Sequence, residues 1–154
     1  MTEKLSDDIH LFILGSGSEE SKVQEITQRK KNVHFLGYQN KEKTLSIIRG
    51  SDLLIQPSRM EGGLSYTLLE SMACGTPIIC TDVGGAKDYL IHKKNAYIIK
   101  PRDAEELLSA IEYLMNNSAK REELRHNALE EITNHDWSTI GPKYLEIYNK
   151  ILCT

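Results

Sequence analysis

Apolar residues along this chain fall into two alternating kinds of run. "HLFILG", "VHFLG", "DLLIQPS", "TPIICTD" and "AYIIKP" are short, rich in branched residues and stopped by Gly, Pro, Ser or Asp. That is how strands buried on both faces read. Between them the apolar positions open out to helical spacing, which predicts helices over 18–28, 41–49 and 65–74, a short one over 85–91, and three more from Asp103 onward. Strands and helices that alternate in this way build a Rossmann-like α/β fold, a parallel sheet with helices on both faces. The last fifty or so residues carry helices only. The final one, over 140–152, is amphipathic through Tyr144, Leu145, Tyr148 and Ile151, and either packs on the sheet or is built for a neighbour outside this sequence.

A chain of 154 residues is one domain's worth. A net charge of -3 supplies no basic field of the kind that holds nucleic acid, and the Lys30-Lys31 and Lys93-Lys94 pairs read as solvated faces. Cys74, Cys80 and Cys153 are odd in number and not spaced as metal ligands, which favours a reducing, cytoplasmic setting. No apolar run approaches the roughly 18 to 20 residues of a membrane span. Peripheral association with the inner face of a membrane stays open.

In an open α/β sheet, ligands bind beyond the carboxyl ends of the strands. The loops "GSGSEE", "GYQN", "SRMEGGLS" and "DVGGA" each follow a strand, so the fold brings them to one edge. Gly15-Ser16-Gly17 lacks the third glycine of a dinucleotide fingerprint, since Glu20 stands there, and Ser16 with Glu19 reads better as an S-x-x-E capping box. Gly84-Gly85 permits either close approach to a ligand or a plain strand-to-helix turn. The five histidines have no H-x-x-x-H spacing, and neither a D-x-D motif nor a P-loop is present. No metal site is expected.

The stretch "PSRMEGGLSYTLLESMACGTP" holds more. A helix starting near Ser65 aims the free amides of Ser65, Tyr66 and Thr67 at the strand edge, with about half a positive charge from the helix dipole. Glu70 then stands about 6 to 8 Å along, at ~1.5 Å per residue, roughly the distance from a diphosphate to its ribose. Its carboxylate can accept from vicinal hydroxyls. Glu61, across the phosphate position, could do the same for a sugar, and Gly62 and Gly63 allow backbone amides to come close. The plain alternative is a loop acid and an exposed helix acid, with Leu68, Leu69, Met72 and Ala73 forming the core side.

"DLLIQPSRMEGGLSYTLLESMACGTPIICTDVGGAKDYL" resembles the family 4 (group 1) retaining glycosyltransferases, whose GT-B fold places the active site between two Rossmann-like domains. "LFILGSGSEESKV", "VHFLGY", "IIRGSDLLIQPS" and "NAYIIKPRDAEELLSAIEYLM" look like segments of that family's C-terminal, donor-binding domain, so the similarity covers nearly the whole chain. The resemblance implies that residues 1–154 form a nucleotide-sugar-binding domain whose N-terminal acceptor domain is absent from this sequence. It gives Glu61 the catalytic position at the donor sugar. Gly62, Gly63, Leu64, Ser65 and Tyr66 take the sugar and diphosphate, Glu70 the ribose, and the Gly37-Tyr38 loop borders the base.

In the family pattern seven residues separate the two acids; here Glu61 and Glu70 enclose eight. The diphosphate-binding Arg and Lys of the family's first strand would precede Met1, leaving Arg59 as the nearby basic residue. The implied reaction transfers a sugar from a nucleoside diphosphate sugar to an acceptor hydroxyl, with retention and without cofactor or metal. The acceptor, a glycan or lipid-linked sugar, would be held by the absent domain. The alternatives are a non-catalytic nucleotide-sugar-binding or regulatory module and, further off, a GT-B sugar epimerase.

Overall fold

The computed structural model describes residues 4–63 and 65–152. Five parallel strands alternate with helices: β1 (Leu11–Leu14), α1 (Glu20–Arg29), β2 (Val33–Gly37), α2 (Lys41–Arg49), β3 (Leu54–Gln56), α3 (Tyr66–Cys74), β4 (Ile78–Thr81) and β5 (Tyr97–Ile99). A 3-10 turn, Gly84–Asp88, links β4 towards β5; α4 (Ala104–Met115), α5 (Ser118–Ile132), a second 3-10 turn and α6 (Trp137–Leu152) complete the chain. The α/β class and the parallel sheet are as the sequence reads.

The strands form two ladders. β1 pairs with β2, and β3 with β4 and β4 with β5, all in parallel. The core concentrates around the three-stranded part. Alternate residues of β4 feed its two sides: Ile78 and Cys80 join Leu68 and Met72 of α3, while Ile79 joins Leu107, Ile111 and Leu114 of α4. With a strand on each side and a helix on each face, β4 is buried at all four positions. α1, by contrast, has no buried residue.

Helix starts follow local chemistry. Asn40 caps α2 by accepting from the Lys43 amide at 2.9 Å, and Asp103 caps α4 from the Glu106 amide at 2.8 Å. The expected capping box at α1 does not form: Glu19 is the N-cap without a side-chain cap bond, and its carboxylate is spent on Lys22. α3 ends at Gly75, which has φ of 69° and closes the helix with its N–H on the Met72 carbonyl. The core side of α3 also differs from expectation. Leu68, Ser71 and Met72 are its buried residues, whereas Ala73 is exposed. Ser71 tolerates burial because its hydroxyl donates to the Thr76 carbonyl at 3.0 Å.

Candidate functional site

The loop after β3 and the start of α3 are held by a compact polar network. Gln56, the last residue of β3, donates through Nε2 to Glu61 Oε1 at 2.7 Å and to Ser65 Oγ at 2.8 Å. Ser58 Oγ also donates to Glu61 Oε1, at 2.6 Å. The loop is fastened from the other side by Thr81 at the end of β4, whose hydroxyl donates to the Ser58 carbonyl at 2.6 Å. Glu61 is therefore a half-buried, oriented carboxylate rather than a free loop acid. Both bonds fall on Oε1, so Oε2 is left to accept from a ligand.

Gly84 and Gly85 explain how close the next loop comes. A Cβ at Gly84 would stand 2.6 Å from the Glu61 Cβ, and its φ of 60° already disfavours a side chain. Gly85 donates its N–H to the Gly63 carbonyl at 3.3 Å. The glycine pair opens the 3-10 turn after β4, as the strand-to-helix-turn reading has it, and the space left by its missing side chains is taken by the Glu61–Gly63 loop.

The N-terminus of α3 opens onto the same edge. Ser65 is its N-cap, yet the Ser65 side chain turns to Gln56 and makes no cap bond, and the first turn of α3 carries no acid. The leading amides and the positive end of the dipole are thus neither capped by a side chain nor neutralised by one. Exposed Tyr66 stands at this end. Tyr89 reaches the same helix start, with its hydroxyl buried beside the Ser65 backbone but without a hydrogen-bond partner of good geometry. Burial pushes the Tyr89 phenol up from its usual range, the Ser65 backbone draws it partly back, and Cys80, Glu61 and Asp88 add to the rise.

Glu70 sits one turn further along α3 and faces α2. Its half-buried carboxylate meets Lys41 Nζ at 3.5 Å, at the residue that opens α2 directly after the Gly37–Asn40 loop. The loop expected to border a base and the acid expected to hold a ribose are therefore neighbours. Arg59 extends the site in the other direction: it lies close enough to Glu19 to help hold that carboxyl low, after Lys22. It also lines a cleft of about 530 Å³ with Lys100 and Arg102. Arg59 is thus one of several basic residues at this edge, together with Lys41, Lys100 and Arg102.

Of the residues singled out in the sequence, Glu61, Gly62, Gly63, Ser65, Tyr66 and Glu70 fall along this one edge; Leu64 lies outside the described residues. Gln56, Ser58, Thr81, Tyr89 and Lys41 complete the arrangement and were not foreseen. Gln56 and Ser58 could have been suspected as polar residues closing an otherwise apolar strand, "LLIQPS". Nothing in the sequence marks Tyr89 or Thr81. No group of three or more His, Cys, Asp or Glu suited to a metal occurs among the described residues.

Residues 1–131 match the family described as glycosyl transferases group 1. The chain is 28% identical over 155 aligned positions to an uncharacterised glycosyltransferase of Methanocaldococcus jannaschii, covering 99% of this chain and 40% of that protein. It is 24% identical to a phosphatidyl-myo-inositol mannosyltransferase of Mycobacterium leprae, covering 94% of this chain and 39% of the relative. Among solved structures, Anabaena HepE in complex with UDP-glucose superposes with a TM-score of 0.80 at 21% identity, over 92% of this chain and 41% of that one. The chain thus spans about two fifths of the length of the curated relatives it matches.

Proposed function

The chain belongs to the group 1 glycosyltransferases, and from that premise we propose that it is the donor-binding part of a retaining enzyme that moves a sugar from a nucleoside diphosphate sugar to an acceptor hydroxyl. The diphosphate lies at the start of α3, on the amides that no side chain caps. Glu70 accepts from the ribose hydroxyls, with Lys41 keeping its carboxylate turned to the Gly37–Asn40 loop. Glu61 accepts from the donor sugar through Oε2, its other oxygen being anchored by Gln56 and Ser58. The observation that carries the reading is this anchoring: an oriented acid and an uncapped helix start meet at one strand edge. HepE, which shares the fold, is described in complex with UDP-glucose and with UDP, so a uridine donor is the first to screen.

In such a transfer, negative charge grows on the leaving diphosphate as the anomeric carbon–oxygen bond breaks. The α3 dipole and its amides stabilise that charge without needing to move. With retention, the leaving diphosphate itself can take the acceptor proton on the same face of the sugar, so no side chain of this chain need act as a general base. The acceptor, a glycan or lipid-linked sugar, belongs to the remainder of a longer enzyme.

Titration calorimetry on two variants tests the assignment. Glu70→Ala should weaken nucleoside diphosphate and sugar nucleotide alike, and Glu61→Ala the sugar nucleotide alone. Equal losses for both ligands in Glu61→Ala, or none in Glu70→Ala, would overturn the role given to that residue.

A further inference from the structure

A second charged region lies beside the Glu61 loop, and the donor reading makes no use of it. The cleft of about 530 Å³ runs across the ends of β3, β4 and β5, with buried Ile99 and Leu107 as its apolar floor and Arg59, Lys100 and Arg102 around it. That volume is in the range of small-molecule sites. None of the three cations forms an ion pair or a side-chain hydrogen bond among the described residues. Glu19 lies near Arg59, but its carboxylate is held by Lys22. Both backbone segments that carry the cations are anchored. Arg59 stands between Ser58, whose carbonyl accepts from Thr81 at 2.6 Å, and Glu61, which accepts from Gln56 and Ser58. The turn from Lys100 to Asp103 is tied twice to the start of α4: Glu106 Oε2 accepts from the Lys100 amide at 2.8 Å, and Asp103 Oδ1 accepts from the Glu106 amide at 2.8 Å. Within that turn Pro101 is followed by Arg102 with φ of 65°, the left-handed conformation that such a position otherwise gives to glycine. Glycine would relieve the strain, and the chain carries an arginine there.

We propose that this cleft is a second anion site and that it takes a phosphate group carried by the acceptor, an inference that rests on the donor reading above. Arg59, Lys100 and Arg102 face one lining acid, Asp103, and one oxygen of that acid is already bonded. The excess of positive charge stands out in a chain whose net charge is -3. It matches a phosphate monoester, which carries about -1.5 to -2 at pH 7, better than the single charge of a carboxylate. Two guanidinium forks on separate loops suit the several oxygens of one phosphate. The donor does not supply this group. Its diphosphate is assigned to the start of α3, and its uncharged ribose and base to Glu70 and the Gly37–Asn40 loop. Its sugar, at Glu61, borders the cleft, and the second molecule that must meet that sugar is the acceptor. The remainder of the enzyme then holds the body of the acceptor while this cleft holds the phosphate on it, so the reacting hydroxyl is fixed from two sides.

The test is an NMR titration of the 154-residue chain in which uridine diphosphate first fills the start of α3 and glucose 1-phosphate is then added. The Nε–H signals of Arg59 and Arg102 and the amide of Ala104 should shift saturably, while Tyr66 and Thr67 keep the positions that uridine diphosphate gave them. Inorganic phosphate and glucuronate should bind at least ~3-fold more weakly, and glucose should leave the cleft signals unmoved. Lys100→Ala and Arg102→Gly should each weaken glucose 1-phosphate by ~10-fold or more, through lost hydrogen bonds to a charged group, and leave uridine diphosphate affinity within about 2-fold. Arg102→Gly should not lower the urea midpoint, since glycine suits φ of 65°, so its loss of binding does not come from unfolding. Three results would overturn the proposal: no saturable shift at Arg59 and Arg102, inorganic phosphate or glucuronate binding as tightly as glucose 1-phosphate, or unchanged affinity in both variants. The two readings fail separately. Tyr66 and Thr67 signals that answer to no nucleoside diphosphate count against the donor site, and with it against an acceptor in the cleft; silent Arg59 and Arg102 count against the cleft alone.

Discussion

The β3–β4–β5 half and the β1–β2 half are built from apolar runs of the same kind, yet they end in different states. "TPIICTD" becomes a strand with no exposed residue, while "HLFILG" becomes one in which Phe12 is 47% exposed and its ring stacks on His34 instead of entering a core. The buried side chains of α3, α4 and α5 gather around β4 and β5, with Leu11 of β1 only partly buried against them, and α1 has no buried residue. The difference lies in neighbours, not in composition. A strand becomes interior only when it is paired on both sides, and β1 is paired on one. The polar network around Glu61 grows from the well-packed half, from residues at the ends of β3 and β4, and this gives it a rigid base.

The contrast can be broken by substitution. Met72→Ala, at a fully buried site against β4, should cost about 2 to 5 kcal/mol of unfolding free energy in urea titrations. A loss below 1 kcal/mol would mean that this half is not the packed one. On the binding side, Glu70→Ala should lose about 1.5 to 3 kcal/mol of nucleoside diphosphate affinity, since it removes hydrogen bonds to a charged group. Gly84→Ala should destabilise by about 1 to 2 kcal/mol from its left-handed backbone alone, and the push on Glu61 should show as weaker sugar-nucleotide binding. Phe12→Ala, in the open half, should move the urea midpoint least, by under about 1 kcal/mol, because the ring is already half in solvent. An effect as large as that of Met72→Ala would show that the two halves are equally closed.

A pH titration sharpens the same contrast. Burial, with a smaller contribution from Asp82, pushes the Cys80 thiol of β4 from 9.0 up to about 12. The unfolded chain therefore releases this proton first. The Cys80 contribution to stability is fully present below pH 9 and is lost between pH 9 and about 12, and Cys80→Ala should flatten that part of the profile. Cys80 should also resist iodoacetamide in the native state, while half-buried Cys74 reacts.

Much of this was legible because it is local. The helix predicted over 41–49 matches Lys41–Arg49 to the residue, as Asn40 at its start and Gly50 at its end announce it. All five strands lie within the runs quoted for them. What escaped the sequence is tertiary. The S-x-x-E spacing of Ser16 and Glu19 suits a capping box, but the helix begins at Glu20, three residues too late for a Ser16 cap, and Glu19 pairs with Lys22 instead. Ser71 looked polar and Ala73 apolar, yet a hydrogen bond to Thr76 lets the serine go inside. Gly84 could be read as a turn, but whether its open side meets a ligand or the Glu61 loop depends on a segment more than twenty residues away. The break between β1 and β3 is silent in the sequence, because an apolar run does not say how many strands will pair with it.

The most direct test of the account is a backbone NMR titration of the 154-residue chain with uridine diphosphate, followed by other nucleoside diphosphates if it does not bind. The amides of Tyr66, Thr67 and Glu70 should shift first and furthest, with Gly62 and Gly63 following when the sugar conjugate replaces the diphosphate, and the residues at the opposite edge, such as Asp52 and Asn32, should stay still. Shifts centred on the break between β1 and β3, or a saturable response that leaves the start of α3 unmoved, would contradict it.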